Sequence, residues 1–250
     1  MSTVIDLISA SMRADTEGLR LIAQNVANSQ STAYRRQVTV AHASFDHATA
    51  TSGGEALGAA PSGVATGVAA LSSATSVDLT PGTLQSTADP LNLAVDGKGF
   101  FVVDTAGGEM LTRRGDFRLD SSGRLVTQAG DPVLGAGGPI KIDGGQPTIA
   151  ADGTVRVGGD VVDRLRIAEV PDAAALQPTS NGLYALTAGA QSTDVAAPIV
   201  RQGFLETANV QTVNEMIRMM ETLRRFEASQ HFVRAYDDMM DKTITTLGKI

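Results

Sequence analysis

Apolar residues recur at alternating spacings of three and four near the start of the chain. In residues 4–28 the stripe consists of Ile5, Ile8, Met12, Leu19, Ile22 and Val26. Asp15 occupies the one position of the stripe where an apolar residue is due. The spacing predicts an amphipathic helix with a heptad stripe along one face. Asn28 suits the end of that helix, because asparagine tolerates the left-handed conformation that often follows a helix C-terminus.

A longer stripe with the same spacing lies near the other end of the chain. Its members are Val213, Met216, Met220, Leu223, Phe226, Val233, Met240, Ile244 and Leu247. No proline or glycine interrupts residues 204–247, so the pattern predicts a helix of about 35 residues. A stripe of this kind is marginal alone in water, so the two stripes indicate pairing with each other or with neighbouring copies.

The texture between the two stripes changes twice. Residues 48–77 are mostly Ala, Gly, Ser and Thr with a single charged residue, Glu55, and show no period that could bury a face. We therefore predict an extended or mobile connector over residues 41–78. From 79 to 205, short alternating runs are separated by turn signals every 8–12 residues, which is typical of an antiparallel all-β domain.

Two of these turn signals lie between alternating runs. Residues 96–99 turn the chain after Leu93 and Val95, and residues 120–123 lie between the runs 117–119 and 125–127. The predicted fold class is α+β, with an antiparallel all-β domain at 79–205 inserted in the chain. The flanking segments 1–40 and 206–250 form a discontinuous, coiled-coil-like helical domain.

Composition argues against an enzyme. Twenty Lys and Arg against 27 Asp and Glu give a formal charge of −7, whereas a general nucleic-acid binder is basic. The absence of cysteine excludes disulfides and thiolate chemistry, and His42, His47 and His231 have no metal-ligand spacing. We expect no cofactor, no metal and no nucleic-acid partner.

The beginning of the chain carries no secretory signal pattern. It lacks a basic region, and Asp6 interrupts its only apolar stretch. No apolar run approaches the roughly 18 residues that a membrane span needs, so we expect no direct membrane insertion. By these general rules the protein stays in the cytoplasm.

Three short patterns have a functional and a structural interpretation. Gly97-Lys98-Gly99 is similar to part of a phosphate loop, but its third glycine is missing and a hairpin turn accounts for it. Arg114-Gly115-Asp116 matches an adhesive tripeptide, and a turn again accounts for the glycine. The methionines near Met216 and Met220 suit a promiscuous groove, although packing in a helical seam is favoured.

Four ordered motifs resemble those of the bacterial flagellar rod and hook proteins. They lie at residues 23–36 (AQNVANSQSTAYRR), 81–101 (beginning PGTL and ending LAVDGKGFF), 111–126 (LTRRGDF, then GRLV) and 202–216 (QGFLETANVQTVNEM). The resemblance covers nearly the whole chain. Gln24, Ala33 and Ala208 depart from it, and Ala33 stands where the family carries a turn glycine.

The resemblance implies a structural subunit of the flagellar basal-body rod, a helical tube that crosses the periplasm and transmits torque from motor to hook. The short chain with one β-domain is like a rod subunit. Residues 224–227 and the run 146–155 before 164–167 resemble the proximal rod protein more than the distal one. A distal rod protein or a short hook-like axial protein remains the alternative, and a secreted β-rich hydrolase a distant one.

The resemblance also implies an assembly interface on the terminal helices. Its expected residues are Ile5, Ile8, Met12, Leu19, Ile22, Asn25, Val26, Asn28, Asn209, Val213, Met216, Met220, Leu223, Phe226, Val233, Met240, Ile244 and Leu247. The asparagines would satisfy buried backbone or cross-helix hydrogen bonds, although simple helix-end caps account for Asn28 and Asn209 nearly as well.

Membership would also determine partners and location. The expected partners are copies of the chain itself, other rod, hook and basal-body proteins, and the flagellar type III export apparatus. The chain would leave the cell through that apparatus without a cleaved signal peptide and reach the periplasmic rod of the basal body. This expectation replaces the cytoplasmic one.

Overall fold

The computed structural model describes residues 2–44 and 70–247. Along the sequence, the described strands lie between two long helices, α1 (Ser2–Ala27) and α2 (Thr212–Leu247). At 1.5 Å per residue they are about 39 Å and about 54 Å long. Both predicted helices are therefore confirmed, and α2 begins within the last of the four family motifs. No described helix is long and apolar enough to cross a membrane.

The chain leaves α1 into a long pair of strands. These are β1 (Gln37–Ser44) and β2 (Ala70–Val77), which pair antiparallel from Gln37 opposite Val77 to Ser44 opposite Ala70. Both ends of the segment for which we predicted an extended or mobile connector are thus paired strands. The small residues of β2 concealed this pairing, because alanine and serine show no hydrophobic alternation. The middle of that connector, residues 45–69, lies outside the described residues.

Seventeen further strands follow, with two short 3₁₀ helices at Ala173–Ala175 and Ser180–Gly182. The strands are β3 (Leu84–Ser86), β4 (Leu93–Val95), β5 (Phe100–Thr105), β6 (Gly108–Thr112), β7 (Arg118–Leu119), β8 (Leu125–Val126), β9 (Leu134–Gly135), β10 (Gly138–Pro139), β11 (Pro147–Ile149), β12 (Thr154–Val157), β13 (Asp160–Arg164), β14 (Ile167–Glu169), β15 (Leu176–Pro178), β16 (Leu183–Leu186), β17 (Thr193–Asp194), β18 (Val200–Gln202) and β19 (Phe204–Glu206).

All described strand pairs are antiparallel, which confirms the α+β class with an antiparallel β-domain. The largest sheet has six strands in the order β15-β16-β6-β5-β14-β17. A three-stranded sheet, β11-β12-β13, and several two-stranded ladders complete the domain. One ladder pairs β19 with β3, so the segment that leads to α2 is tied back to the start of the β-domain.

The core lies on both faces of the six-stranded sheet. Successive residues of the central strand β5 alternate between two apolar clusters, with Phe101 and Val103 in one and Phe100 and Val102 in the other. Phe101 packs edge-to-face on Phe117 at 5.1 Å between ring centroids, and Phe100 packs on Tyr184 at 5.6 Å. The four consecutive buried residues therefore mark a strand that is covered on both sides.

The two predicted turns have different outcomes. The turn at 120–123 joins β7 to β8, which pair with each other as expected. The turn at 96–99 separates β4 from β5, but β4 pairs with β18 and β5 with β6 and β14. A hairpin across that turn is therefore wrong. Gly97 and Gly99, at φ +111° and +114°, let the chain pass from one sheet to another.

Candidate assembly interface and its junction with the β-domain

The two helices pack side by side in opposite directions. Near the β-domain, Asn25 Nδ2 lies 3.5 Å from Glu215 Oε2, and farther along Asp15 Oδ1 lies 3.1 Å from Arg225 Nη2. Between these contacts, Gly18 of α1 faces Thr222 of α2. Residue numbers rise along one helix as they fall along the other, so the helices are antiparallel and the early turns of α1 lie beside the later turns of α2.

The face that α2 turns toward α1 has its own three-four spacing. The buried or half-buried residues there are Glu215, Met219, Thr222, Phe226, Ser229, Val233, Tyr236 and Met240. Three of the predicted interface residues, Phe226, Val233 and Met240, belong to it. The side chains of Ile244 and Leu247 lie outside those that the structure describes.

The remaining predicted residues of α2 form a separate stripe on its solvent side. Val213, Met216, Met220 and Leu223 are 71%, 51%, 53% and 41% exposed, and Ile217 beside them is 45% exposed. We call these five residues the α2 stripe. This part of the predicted seam is not buried against α1, because polar Glu215 and Thr222 occupy that face of α2, and its burial between subunits stays a prediction. The stripe is apolar surface that the described residues leave uncovered.

The predicted stripe of α1 is mostly turned toward α2. Its residues Ile8, Met12, Leu19, Ile22 and Val26 are half-buried, while Ile5 is exposed. Asp15, at the position where an apolar residue was due, is only 8% exposed and forms the ion pair with Arg225. A buried charge of this kind favours one alignment of the helices, because any shift along the axis leaves it unpaired.

Asn25 joins α1 to the first strand. Its Oδ1 accepts hydrogen bonds from the Gln37 amide at 2.9 Å and the Tyr34 hydroxyl at 3.1 Å, and its Nδ2 donates to the Gln37 carbonyl at 2.8 Å. Its Nδ2 also contacts Glu215, so both the oxygen and the nitrogen of the side-chain amide have hydrogen-bond partners. It is 1% exposed, so the hydrogen bonds satisfy polar atoms that water cannot reach.

Asn209 performs the same role just before α2. Its Oδ1 accepts from the Arg36 amide at 2.6 Å, and its Nδ2 donates to the carbonyls of Asp78 at 3.0 Å and Thr80 at 2.8 Å. Arg36 also pairs through Nε with Glu215 Oε1 at 2.7 Å. Asn25, Asn209, Arg36 and Glu215 therefore form one polar junction, which fastens both helices to the strands beneath them.

Asn28 belongs to the end of α1. Its Nδ2 donates to the Gln24 carbonyl at 2.9 Å, and its Oδ1 accepts from the Ser31 hydroxyl, so the helix-end interpretation describes it. Ala33, which replaces the family's turn glycine, has φ +52° and is buried. The turn is therefore kept in the left-handed conformation with an alanine, and its amide donates to the Glu206 carbonyl at 2.7 Å.

A buried carboxylate between two arginines lies below the junction. Glu206 Oε2 accepts from Arg113 Nε at 2.6 Å, and its Oε1 accepts from Arg35 Nη2 at 2.9 Å and from the Gly82 amide at 2.7 Å. All three side chains are at most 3% exposed. We call them the Arg35–Glu206–Arg113 cluster. Sequence reasoning gave these residues no role, although charged residues inside an apolar β-pattern are a signal for such a cluster.

Burial shifts the titration of several groups here. It lowers the pKa of the Arg35 guanidinium from its usual value, an effect that Glu206 opposes and Arg113 reinforces. Burial also raises the pKa of Tyr34 and of Tyr184 to about 12. Both phenols are therefore neutral in the folded protein at ordinary pH.

Metal binding is one of the chemistries to consider among the residues that the structure describes. No group of three or more His, Asp or Glu side chains there could hold a metal ion. In the tripeptide of residues 114–116, Arg114 Nη2 bonds Asp116 Oδ2 at 2.7 Å, so the two charged groups neutralise each other within the turn.

Comparison with known proteins agrees with this picture. The family model described as flagellar basal body rod FlgEFG protein C-terminal matches residues 201–246, which contain Asn209 and most of α2. The model described as flagellar hook protein FlgE/F/G D1 domain matches residues 94–157 of the β-domain. Both matches fall on elements that the motifs had singled out.

Individual relatives extend the similarity over most of the chain. The flagellar basal-body rod protein FlgF of Caulobacter vibrioides is 31% identical over 176 residues, covering 69% of this chain and 72% of the relative. FlgF of Salmonella typhimurium is 34% identical over 176 residues, covering 64% of this chain and 70% of the relative. The rod protein FlgG of Agrobacterium fabrum is 29% identical over 93% of this chain and 95% of its own.

Proposed function

The chain belongs to the flagellar basal-body rod protein family and is a structural subunit of the rod, not an enzyme, and we propose that it is a subunit of the proximal rod. The support for this finer assignment is the single inserted β-domain and the resemblance of residues 224–227, 146–155 and 164–167 to the proximal rod protein. Its partners are then other rod and hook proteins together with copies of itself.

The observation that carries the mechanism is the uncovered α2 stripe. Five large apolar side chains at Val213, Met216, Ile217, Met220 and Leu223 are each more than 40% exposed on one helix. Surface of this kind is stabilised by burial at about 25 cal/mol per Å² when a partner covers it. The stripe then packs on the helices of adjacent subunits in a coiled-coil-like seam, and the intrachain face of α2 stays on α1.

Such contacts produce a filament when they do not close. A stripe that binds a different surface on the next copy makes a heterologous contact, and repeated heterologous contacts give a helical tube. The tube transmits torque only if its subunits resist bending between their helices and their β-domains. The hydrogen bonds of buried Asn25 and half-buried Asn209 supply that stiffness, since they hold both helices on the same strands.

Location follows from the assembly. The rod lies in the basal body, and we propose that this chain reaches its periplasmic part through the type III export apparatus without a cleaved signal peptide. The support is membership of the rod family together with the lack of cysteine, so that no disulfide hinders passage as an unfolded chain.

The decisive experiment introduces charge into the α2 stripe. We expect the double variant Met216→Asp and Met220→Asp to abolish swimming and to be missing from purified basal bodies, because a carboxylate in an apolar seam loses its hydration without a partner. The free protein should keep its urea midpoint, since both methionines are about half exposed in the single chain.

The matched control places the same change elsewhere on the same helix. His231→Asp with Ala235→Asp has the same spacing at exposed positions outside the stripe, so it should swim. Normal motility and normal incorporation of the methionine variant, with stable protein, would refute the stripe as an assembly surface.

Counting the subunit separates the proximal assignment from its alternative. Quantitative mass spectrometry of purified hook–basal bodies would measure this chain against the hook subunit. A few copies support the proximal rod. Many copies indicate a distal rod or short hook-like protein, and complete absence contradicts a role in the rod.

A further inference from the structure

A cavity of about 410 Å³ opens on the surface beside the Arg35–Glu206–Arg113 cluster. Its apolar wall is formed by Leu79, Pro81, Phe100, Val170 and Pro171. The buried side chains of Arg35 and Arg113 line it as well, and Thr80, Glu169 and the turn at 97–99 complete it. The rod function proposed above uses none of these surfaces.

The charge that lines this cavity is not balanced within the chain. Two guanidinium groups share the single carboxylate of Glu206, so the buried cluster carries one excess positive charge. Carbonyl oxygens of Val95, Gly97 and Gly99 accept from Arg113 and compensate it in part. A net buried charge next to an open cavity favours an anion there, because Coulomb attraction is strong where water is scarce.

Arg35 has hydrogen-bonding capacity left over. Its Nη1 donates to the Thr80 carbonyl and its Nη2 to Glu206, while its Nε finds no acceptor among the described residues, although the side chain is 3% exposed. Buried guanidinium groups are ordinarily satisfied. The guanidinium of Arg35 is therefore less compensated by acceptors than that of Arg113, which bonds Glu206 and three backbone carbonyls.

The mouth of the cavity adds a cation that solvent can reach. The side chain of Lys98 is 86% exposed, and its Nζ lies 3.5 Å from Glu169 Oε1. An exposed ion pair of this length contributes little, so Lys98 can turn toward an incoming anion at small cost. The site therefore combines a mobile cation at its entrance, two fixed guanidinium groups inside and an apolar wall.

We propose that this cavity binds an aspartate or glutamate side chain of a second copy of the chain, with its carboxylate toward Arg35 and Lys98. An apolar wall beside a cationic end suits a short side chain that carries one carboxylate. Residues 78–209 hold 16 Asp or Glu against 10 Lys or Arg, so a neighbouring β-domain has carboxylates in excess. The choice of occupant rests on the proposed assembly, whereas the affinity for carboxylate does not.

The first experiment tests the cavity in the free, full-length chain. Propionate is titrated at constant ionic strength while the amide resonances of Gly97 and Gly99 are followed. We expect saturable shifts whose dissociation constant rises about fivefold or more in Lys98→Glu, since one exposed charge is reversed. Lys141→Glu, at an exposed lysine outside the cavity, should leave the constant unchanged.

Three results of that titration would overturn the site. Shifts that do not saturate, shifts that are equal in Lys98→Glu and the parent chain, or tighter binding of inorganic phosphate than of propionate each contradict a carboxylate pocket. Lys98 and Lys141 are both exposed, so neither Lys98→Glu nor Lys141→Glu should impair folding, and the urea midpoint of each variant verifies this.

The second experiment identifies the occupant in assembled basal bodies. A zero-length carbodiimide joins an amine to a carboxylate that it touches, and mass spectrometry finds the pair. In the free chain Lys98 should join Glu169, which serves as the internal control. In the rod, a product between Lys98 and an acidic residue of another copy supports the proposal.

The other cross-linking outcomes contradict the second-copy assignment. One such outcome is that the rod yields no product of Lys98 other than the one with Glu169. The other is that Lys98 is joined to a different rod protein. Because the propionate titration needs no assembly, a failure of the cavity is distinguishable from a failure of the α2 stripe, which the methionine variant tests alone.

Discussion

A single carboxylate, Glu206, connects three segments that are far apart in the chain. It binds Arg35 after α1, Arg113 after β6 and the Gly82 amide before β3. The sequence shows each of these residues inside a motif, but spacing along the chain carries no information on a contact between residues 171 positions apart. Such a cluster is found only when the strands that bring its members together are known.

Removal of the charge on Glu206 should be severe. In Glu206→Gln the two buried guanidinium groups lose the carboxylate that they share, so we expect the free energy of unfolding to fall by about 3–5 kcal/mol. Urea unfolding measures it. Glu109→Gln is the control, since Glu109 is 56% exposed in its pair with Arg166 and should lose less than about 1 kcal/mol. Equal losses in both variants would contradict the role of the buried cluster.

The buried tyrosines predict an alkaline limit. Tyr34 and Tyr184 have their pKa raised to about 12 in the folded chain, against about 10 when unfolded, so the folded state holds more protons in between. Their contribution to stability is complete below pH 10 and is lost as the pH rises toward 12. Urea midpoints at pH 9 and pH 11.5 should show this fall, and Tyr184→Phe should reduce it. An undiminished fall in that variant would contradict the assignment.

At the scale of elements, the sequence predicted helices better than strand partners. The three-four spacing located α1 and α2 because a helix buries one face over many turns. Alternation located β4 and β5, but it did not show that β4 pairs with β18 across the domain, since pairing depends on residues distant in the chain. The strand β2 escaped because its alanines and serines give no pattern.

Gly115 holds two elements at close range, and this too is a contact that spacing does not show. A Cβ atom there would lie 1.6 Å from the Leu93 carbonyl oxygen, and the Leu93 amide donates to the Gly115 carbonyl at 2.9 Å. We expect Gly115→Ala to destabilise the protein by about 2–4 kcal/mol, because backbone must move and the β4 ladder with it.

A second glycine provides the comparison for that substitution. At Gly107 the nearest atom to an added methyl group would be the flexible end of Met110 at 3.4 Å, so Gly107→Ala should shift the urea midpoint little. A tolerated Gly115→Ala would show that β4 and the segment after β6 do not need their close approach.

At the scale of the whole molecule, the terminal segments were recognisable as an assembly surface, but its division into two faces was not. The apolar stripe of α2 suggested one seam, whereas the chain uses a face with Glu215 and Thr222 for α1 and leaves Met216 and Met220 exposed. Judged by hydrophobicity alone, the apolar face of α2 would be expected to pack on α1, its nearest partner. Here the polar junction at Asn25 and Arg36 determines which face of α2 meets its own chain.

The junction should therefore determine how firmly the helices are held on the β-domain. In Asn209→Asp the hydrogen bonds donated to the Asp78 and Thr80 carbonyls are lost, and a carboxylate faces those oxygens instead. Amides at the junction ends of α1 and α2 should exchange hydrogen about tenfold faster or more, while those of β5 keep their protection. Asn214→Asp, at an exposed asparagine whose amide donates to the side chain of Gln211 just before α2, should leave both unchanged. If the helix ends remain as protected in Asn209→Asp as in the Asn214 variant, the stiffness of the subunit does not come from this side chain.

If the helix ends of Asn209→Asp do lose protection, we expect reduced swimming at normal subunit incorporation, because the rod would still assemble but would yield under torque.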